Sequence, residues 1–146
     1  MADIPEEHLT EELLDRLLAS ASIEQYLDEG LVSARTLTDH LFDRMEAHDL
    51  RRADVVRASG LNATVVYDIF SGKSRPGRDH AIMLAFGLKC TLRETQRLLR
   101  LAGVSELWCK QRRDAIIIWC IRNGFDRIAT DDELYRMGEA TLLPAD

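Results

Sequence analysis

Cysteine is scarce in this chain, and the three present do not form a framework. Cys90, Cys109 and Cys120 stand far apart without CxxC spacing, and their odd number leaves one unpaired in any disulfide scheme. Reduced thiols in or near the core are expected. The four histidines, His8, His40, His48 and His80, are as scattered, so no metal-ligand spacing arises and neither a metal nor another cofactor is expected. Long apolar runs are missing too, since nothing approaches the roughly 18 to 20 residues of a membrane span. The opening MADIPEEHLTEE is acidic where a secretory leader is basic and then apolar. A cytoplasmic protein with no membrane partner is the expectation. Alternating β-branched runs bounded by turn residues are also absent, which argues against a sheet. Enzyme activity needs a nucleophile beside a base, a carboxylate pair in a pocket, or a phosphate loop. Ser71-Gly72-Lys73-Ser74 ends like such a loop, but Tyr67 occupies the place of the earlier glycine and no strand precedes it. The chain does not read as an enzyme.

What the chain does have is apolar residues at helical spacing almost throughout, which predicts an all-α fold. Leu9, Leu13, Leu14, Leu17 and Leu18 stripe an acidic helix over 10–19, and Ser22 with Gln25 opens a short second helix that stops at Gly30. Thr36 and Asp39 cap a third helix reaching His48. Two short helices follow over 52–59 and 63–71, separated by Gly60-Leu61-Asn62, where Gly60 ends one and Asn62 caps the other. Ile82 to Phe86 mark a fourth core helix after the turn at 72–77. Thr91 with Glu94 opens a fifth, closed by Gly103. Gln96 and Gly103-Val104 imitate the first half of a second helix pair, but no following glycine comes until Gly124, so an ordinary core helix is expected. Asp114 to Ile121, apolar on every side, should be buried in its own chain or a partner. A last helix is expected to be capped by Thr130 with Glu133. Trp108, Trp119 and Phe125 read as core aromatics.

Charge is unevenly spread. Residues 1–50 carry thirteen acids against three arginines, and 79–146 carry ten of each sign. Between them, Arg51, Arg52, Arg57, Lys73, Arg75 and Arg78 face only Asp54 and Asp68, although the whole chain has a net charge of −6. The basic surplus falls on the two short helices. Reading a major groove requires one exposed helix held at a fixed angle by a short partner through a tight turn. Arg51 to Pro76 can supply that arrangement, with Val55, Val56, Leu61, Val66 and Ile69 as the shared core and Ala63, Thr64, Tyr67 and Asp68 facing outward.

Over about 36–88 the sequence resembles the lambda-repressor and Cro type of helix-turn-helix, the bacterial XRE-like family. The residues carrying the likeness are Arg52, Gly60-Leu61, Val66, Ile69, Gly72, Lys73, Arg75 and Pro76. The C-terminal stretch from Arg112 is similar to an extension that follows this motif in a group of small bacterial XRE-like proteins. The resemblance implies a lambda-repressor-like helix-turn-helix bundle with extra N- and C-terminal helices. Its parts are an acidic arm (1–33), a five-helix core (34–104) and a C-terminal extension packed on the core or a dimer partner (105–146). It also implies a transcriptional regulator that binds double-stranded DNA as a homodimer. Ala63, Thr64, Tyr67 and Asp68 then face bases, while Arg51, Arg52, Lys73, Arg75 and Arg78 approach phosphates.

The chain departs from the family on its reading face, where glutamine, serine or arginine usually makes directional base contacts. Asp68 would be repelled by phosphates unless it accepts from a cytosine amine or pairs with Arg57 or Arg75. Two alternatives therefore stay open. The motif can serve as a protein-interaction module without sequence-specific DNA binding, and the acidic N-terminal helices can dock a protein partner or fold back on the basic segment.

Overall fold

The computed structural model describes residues 6–28 and 36–144, and among these residues every regular element is an α-helix. The chain divides into two compact units, Met1–Arg35 and Thr36–Asp146. The expected boundary at 33/34 and the helix stop at Gly30 lie outside the described residues.

In the first unit, α1 (Glu6–Ala19) packs on α2 (Ile23–Asp28). The α1 helix starts earlier than its leucine stripe suggested. Ser22 Oγ accepts from Gln25 N at 3.1 Å, and Gln25 Oε1 accepts from Ala21 N, which orders the first turn of α2. Tyr26 is buried, whereas Leu14, Leu17, Leu18, Ile23 and Leu27 are exposed. The side chain of Leu9 lies outside the described residues.

The second unit holds α3 (Leu37–Ala47), α4 (Arg52–Ser59), α5 (Ala63–Phe70), α6 (Arg78–Gly87), α7 (Leu92–Leu101), α8 (Arg112–Arg122) and α9 (Arg127–Arg136). Its centre is α6, where Ala81 to Ala85 are all buried and α4, α7 and α9 pack around them. Gly87 explains how closely α4 crosses this helix. A Cβ there would stand 2.9 Å from both the Val55 carbonyl oxygen and Ser59 Cβ, so only hydrogen allows the approach. Leu41, Val55, Val66, Ile69, Phe70, Leu98, Leu99, Ile117 and Leu134 complete one core that draws on every helix of this unit.

Local caps set most helix starts. Thr36 and Thr91 each accept from the backbone three residues on, while Asp39 and Glu94 return the bond. The last helix corrects the sequence reading. Asp126, not Thr130, is its N-cap, accepting from Ala129 N at 2.8 Å. Thr130 sits inside α9 with its hydroxyl donating to the Asp126 carbonyl. The earlier start brings Arg127 and Asp131 one turn apart, where they pair at 2.6 Å. Asp131 also accepts from Leu142 N at 2.6 Å, tying the C-terminal segment to α9.

The α8 run is only partly enclosed. Ile117 and Cys120 are buried, but Trp119 is 54% exposed and stacks edge-on against Phe125 at 5.3 Å. Trp108 is equally open, so the two tryptophans are not the core residues their neighbours suggested. Trp119 lies on the outer side of α8, whose opposite face carries the buried Ile117 and Cys120, and Trp108 lies in the loop that precedes α8. Cys109 is exposed as well, while burial pushes the thiols of Cys90 and Cys120 up in pKa.

Candidate nucleic-acid interface

The pair α4 and α5 is joined by Gly60, Leu61 and Asn62. Gly60 has φ +82°, a left-handed conformation that ends α4 and turns the chain sharply. Asn62 then caps α5, its side chain accepting from Val65 N at 2.9 Å. Leu61 is buried, so the turn is anchored in the core as well as bent. The Arg127 side chain lies against the outside of the turn, close enough that a Cβ at Gly60 would stand 2.6 Å from its Nε. Nothing local in the sequence signals this contact, which joins residues from opposite ends of the unit.

On α5, Val66, Ile69 and Phe70 face the core, and Phe70 meets Phe42 edge-on at 5.3 Å. The opposite row is open. Ala63 and Thr64 are exposed and Tyr67 is 44% exposed, while Asp68 is half-buried. The Asp68 carbonyl accepts from Lys73 N at 2.9 Å and Ser74 N at 3.2 Å, folding the turn after α5 back on the helix end. This places Lys73 and Arg75 at the exit of α5, both exposed.

Arg51 and Arg52 are exposed at the start of α4. The Arg52 guanidinium lies 5.2 Å from the centroid of the Tyr67 ring, a cation–π contact that spans the two helices. It brings a positive charge directly beside the outward row. Arg57 pairs with Asp54 at 2.5 Å rather than with Asp68. Asp54 in turn accepts from Arg51 N, and this backbone bond, with the nearby Arg57 and Arg51 charges, holds its carboxyl below the usual range despite some desolvation.

Arg78 is the clear exception among the basic residues grouped by sequence. Its guanidinium donates to Asp114 at 2.7 and 3.0 Å and to the carbonyls of Ser105 and Glu106 at 3.0 and 2.9 Å. Four of its five N–H groups are spent inside the fold, which makes it a structural tie between α6 and the start of α8. Asp114 also accepts from Trp108 N. Burial opposes its ionisation, but the Arg78 bonds, the Trp108 N–H and the charges of Arg78 and Arg113 together hold its pKa below the usual value.

A second polar tie joins α3 to α7. The Glu94 carboxylate meets Arg44 and, at 3.3 Å, His48 Nε2, while the Glu94 carbonyl lies 3.2 Å from His40 Nε2. Desolvation raises the Glu94 pKa, but the Thr91 N–H, His48 and Arg44 outweigh it and the net shift is downward. Gln96 is likewise spent internally, bonding the Leu107 backbone N–H and carbonyl at 2.8 Å each. Its resemblance to a second helix-turn-helix start is a loop clamp. Among the described residues, no group of three or more His, Cys, Asp or Glu is placed to hold a metal ion, and no helix is long and apolar enough to cross a membrane.

The chain matches no known family model, curated protein or solved structure.

Proposed function

We propose that residues 36–146 form a DNA-binding module of the XRE-like helix-turn-helix kind, which lays α5 in the major groove and acts as a bacterial transcriptional regulator in the cytoplasm. The observation that carries the reading is the outward row of α5. Ala63, Thr64 and Tyr67 are solvent-open on a helix whose other face is buried, and Arg51, Arg52, Lys73 and Arg75 are exposed on either side of it. Groove insertion needs that combination of a rigid helix, an uncovered face and flanking cations. The methyls of Ala63 and Thr64 suit thymine, and the Tyr67 hydroxyl suits a base edge or phosphate. None of these side chains makes a bidentate base contact, so base discrimination is weak at each position. Specificity then rests on DNA shape and on the spacing of two half-sites held by a homodimer.

A salt series of fluorescence-anisotropy titrations tests the reading, using duplexes from the upstream region of the encoding gene. Affinity should fall steeply with salt, and Arg52→Ala and Lys73→Ala should each reduce the log–log slope by about one. Arg78→Ala should lower stability without a specific slope change. Absence of binding by folded protein at low salt would refute the proposal. The poor bidentate capacity of the outward row favours a second reading, in which the same face contacts protein instead of DNA. Salt-independent binding to a protein partner through Tyr67 would select that reading.

A further inference from the structure

Taken by itself, the α1–α2 unit carries an apolar surface that is exposed among the described residues. Leu14, Leu18, Ile23 and Leu27 are each about half or more exposed, at 53, 75, 53 and 49%, and Leu17 is exposed at 36%. Five large aliphatics on two short helices exceed the scattered exposure of an ordinary surface. Leu14 with Leu18, and Ile23 with Leu27, are i,i+4 pairs, so each helix presents a row and not isolated side chains. Although α1 packs on α2 and Tyr26 is buried, these side chains stay exposed.

The charge around the rows identifies the occupant. Glu11, Asp15 and Glu24 are exposed beside them, and residues 1–28 hold eight acids with Arg16 as the one basic residue. A second copy would bring the same charge within a Debye length of roughly 8–10 Å, which opposes pairing of the rows. An anionic lipid surface is excluded by the same repulsion, since interfacial helices carry Lys and Arg on their polar face. We infer that the α1–α2 unit is a docking element for another protein that offers an apolar groove rimmed by Lys and Arg. The mode is helix-in-groove, with the aliphatic rows entering the groove and the acids meeting its rim. This holds whether or not α5 binds DNA.

The test uses the full chain and a synthetic helical-hairpin peptide whose two helices form a leucine-lined groove rimmed by lysine, with a glutamate-rimmed hairpin of identical apolar pattern as control. Isothermal titration should show binding of the lysine peptide, weakened at least tenfold, about 1.4 kcal/mol, by Leu14→Ser/Leu18→Ser. Glu11→Gln/Asp15→Asn, which keeps the leucines, should also weaken it, and the glutamate peptide should not bind. Far-UV circular dichroism identifies any loss due to unfolding of α1, in which case the charge variant decides. Equal binding by the serine variant would overturn the inference by reducing the effect to charge alone. So would no binding of the lysine peptide, or a concentration-dependent dimer in sedimentation that the serine variant abolishes.

Discussion

Asp114 offers the sharpest test of how this fold is held together. It is 3% exposed and accepts from Arg78 Nη1 and Nη2 at 3.0 and 2.7 Å and from Trp108 N at 3.0 Å. Asp114→Asn preserves size and one acceptor but removes the charge facing the guanidinium and turns an amide N–H₂ towards a donor. Breaking a buried ion pair from one side costs about 3–5 kcal/mol. The Arg78 side chain keeps 28% of its exposure, so water takes up part of the stranded charge. The expected loss is therefore about 2–3 kcal/mol. For a unit of this size that corresponds to a melting temperature lower by about 8–12 °C. Urea denaturation at neutral pH, followed by circular dichroism, measures it directly. The acid limb supplies a second check. The folded-state pKa of Asp114 is depressed, so its contribution is fully present above the unfolded value and is lost as pH falls through the folded one. Below about pH 4 the variant's stability should fall less steeply than that of the parent. Some slope must persist, because the Glu94 shift has the same sign. Pairing Arg78→Met with Asp114→Leu should recover only part of the loss, since neither charge is then stranded but the Trp108 N–H and the Ser105 and Glu106 carbonyls lose their partners. A loss under about 0.5 kcal/mol for Asp114→Asn, the range of an ordinary surface change, would refute the reasoning.

Gly87→Ala should destabilise the second unit by about 1–3 kcal/mol even though alanine is the better helix former, because its Cβ collides with the α4 backbone. Gly77→Ala, where no atom lies within 4 Å of the new carbon, is the control that should be near neutral in the same thermal melts. Asn62→Ala removes the cap of α5 and should cost about 1 kcal/mol, with faster hydrogen exchange at Val65 than in the parent. Unchanged exchange there would show that the turn, not the cap, holds the start of α5.

The features legible along the chain are those whose partners lie within one helical turn. Thr36 with Asp39, Asn62 with Val65, and Thr91 with Glu94 interact at a separation of three residues, so their spacing alone predicts the helix starts seen. Helical periodicity likewise separates Val66 and Ile69 from Thr64 and Tyr67, because one helix face is set by 3.6-residue repetition. The start of α9 departs from the Thr130 reading because Asp126, exposed at the surface, caps it through Ala129 N, while Thr130, which has the box spacing with Glu133, lies one turn inside the helix. Starting at Asp126 places Arg127 and Asp131 where they can pair, and Asp131 there also accepts from Leu142 N, a partner beyond the helix that local spacing does not show.

By itself, then, the sequence determined that the chain is helical, where most of its helices begin, and which row of α5 faces away from the core. Only the tertiary structure decided what each charged or aromatic residue is for. Arg78 looks like Arg75 in the sequence, yet Asp114 and two carbonyls from 27 to 36 residues away turn it inward. Trp119 sits among isoleucines but remains half exposed, because the neighbouring helices take up only one side of α8. The physical reason is range. Backbone caps and periodicity act within a turn of helix, whereas desolvation and the pairing of charges depend on neighbours that only folding brings together.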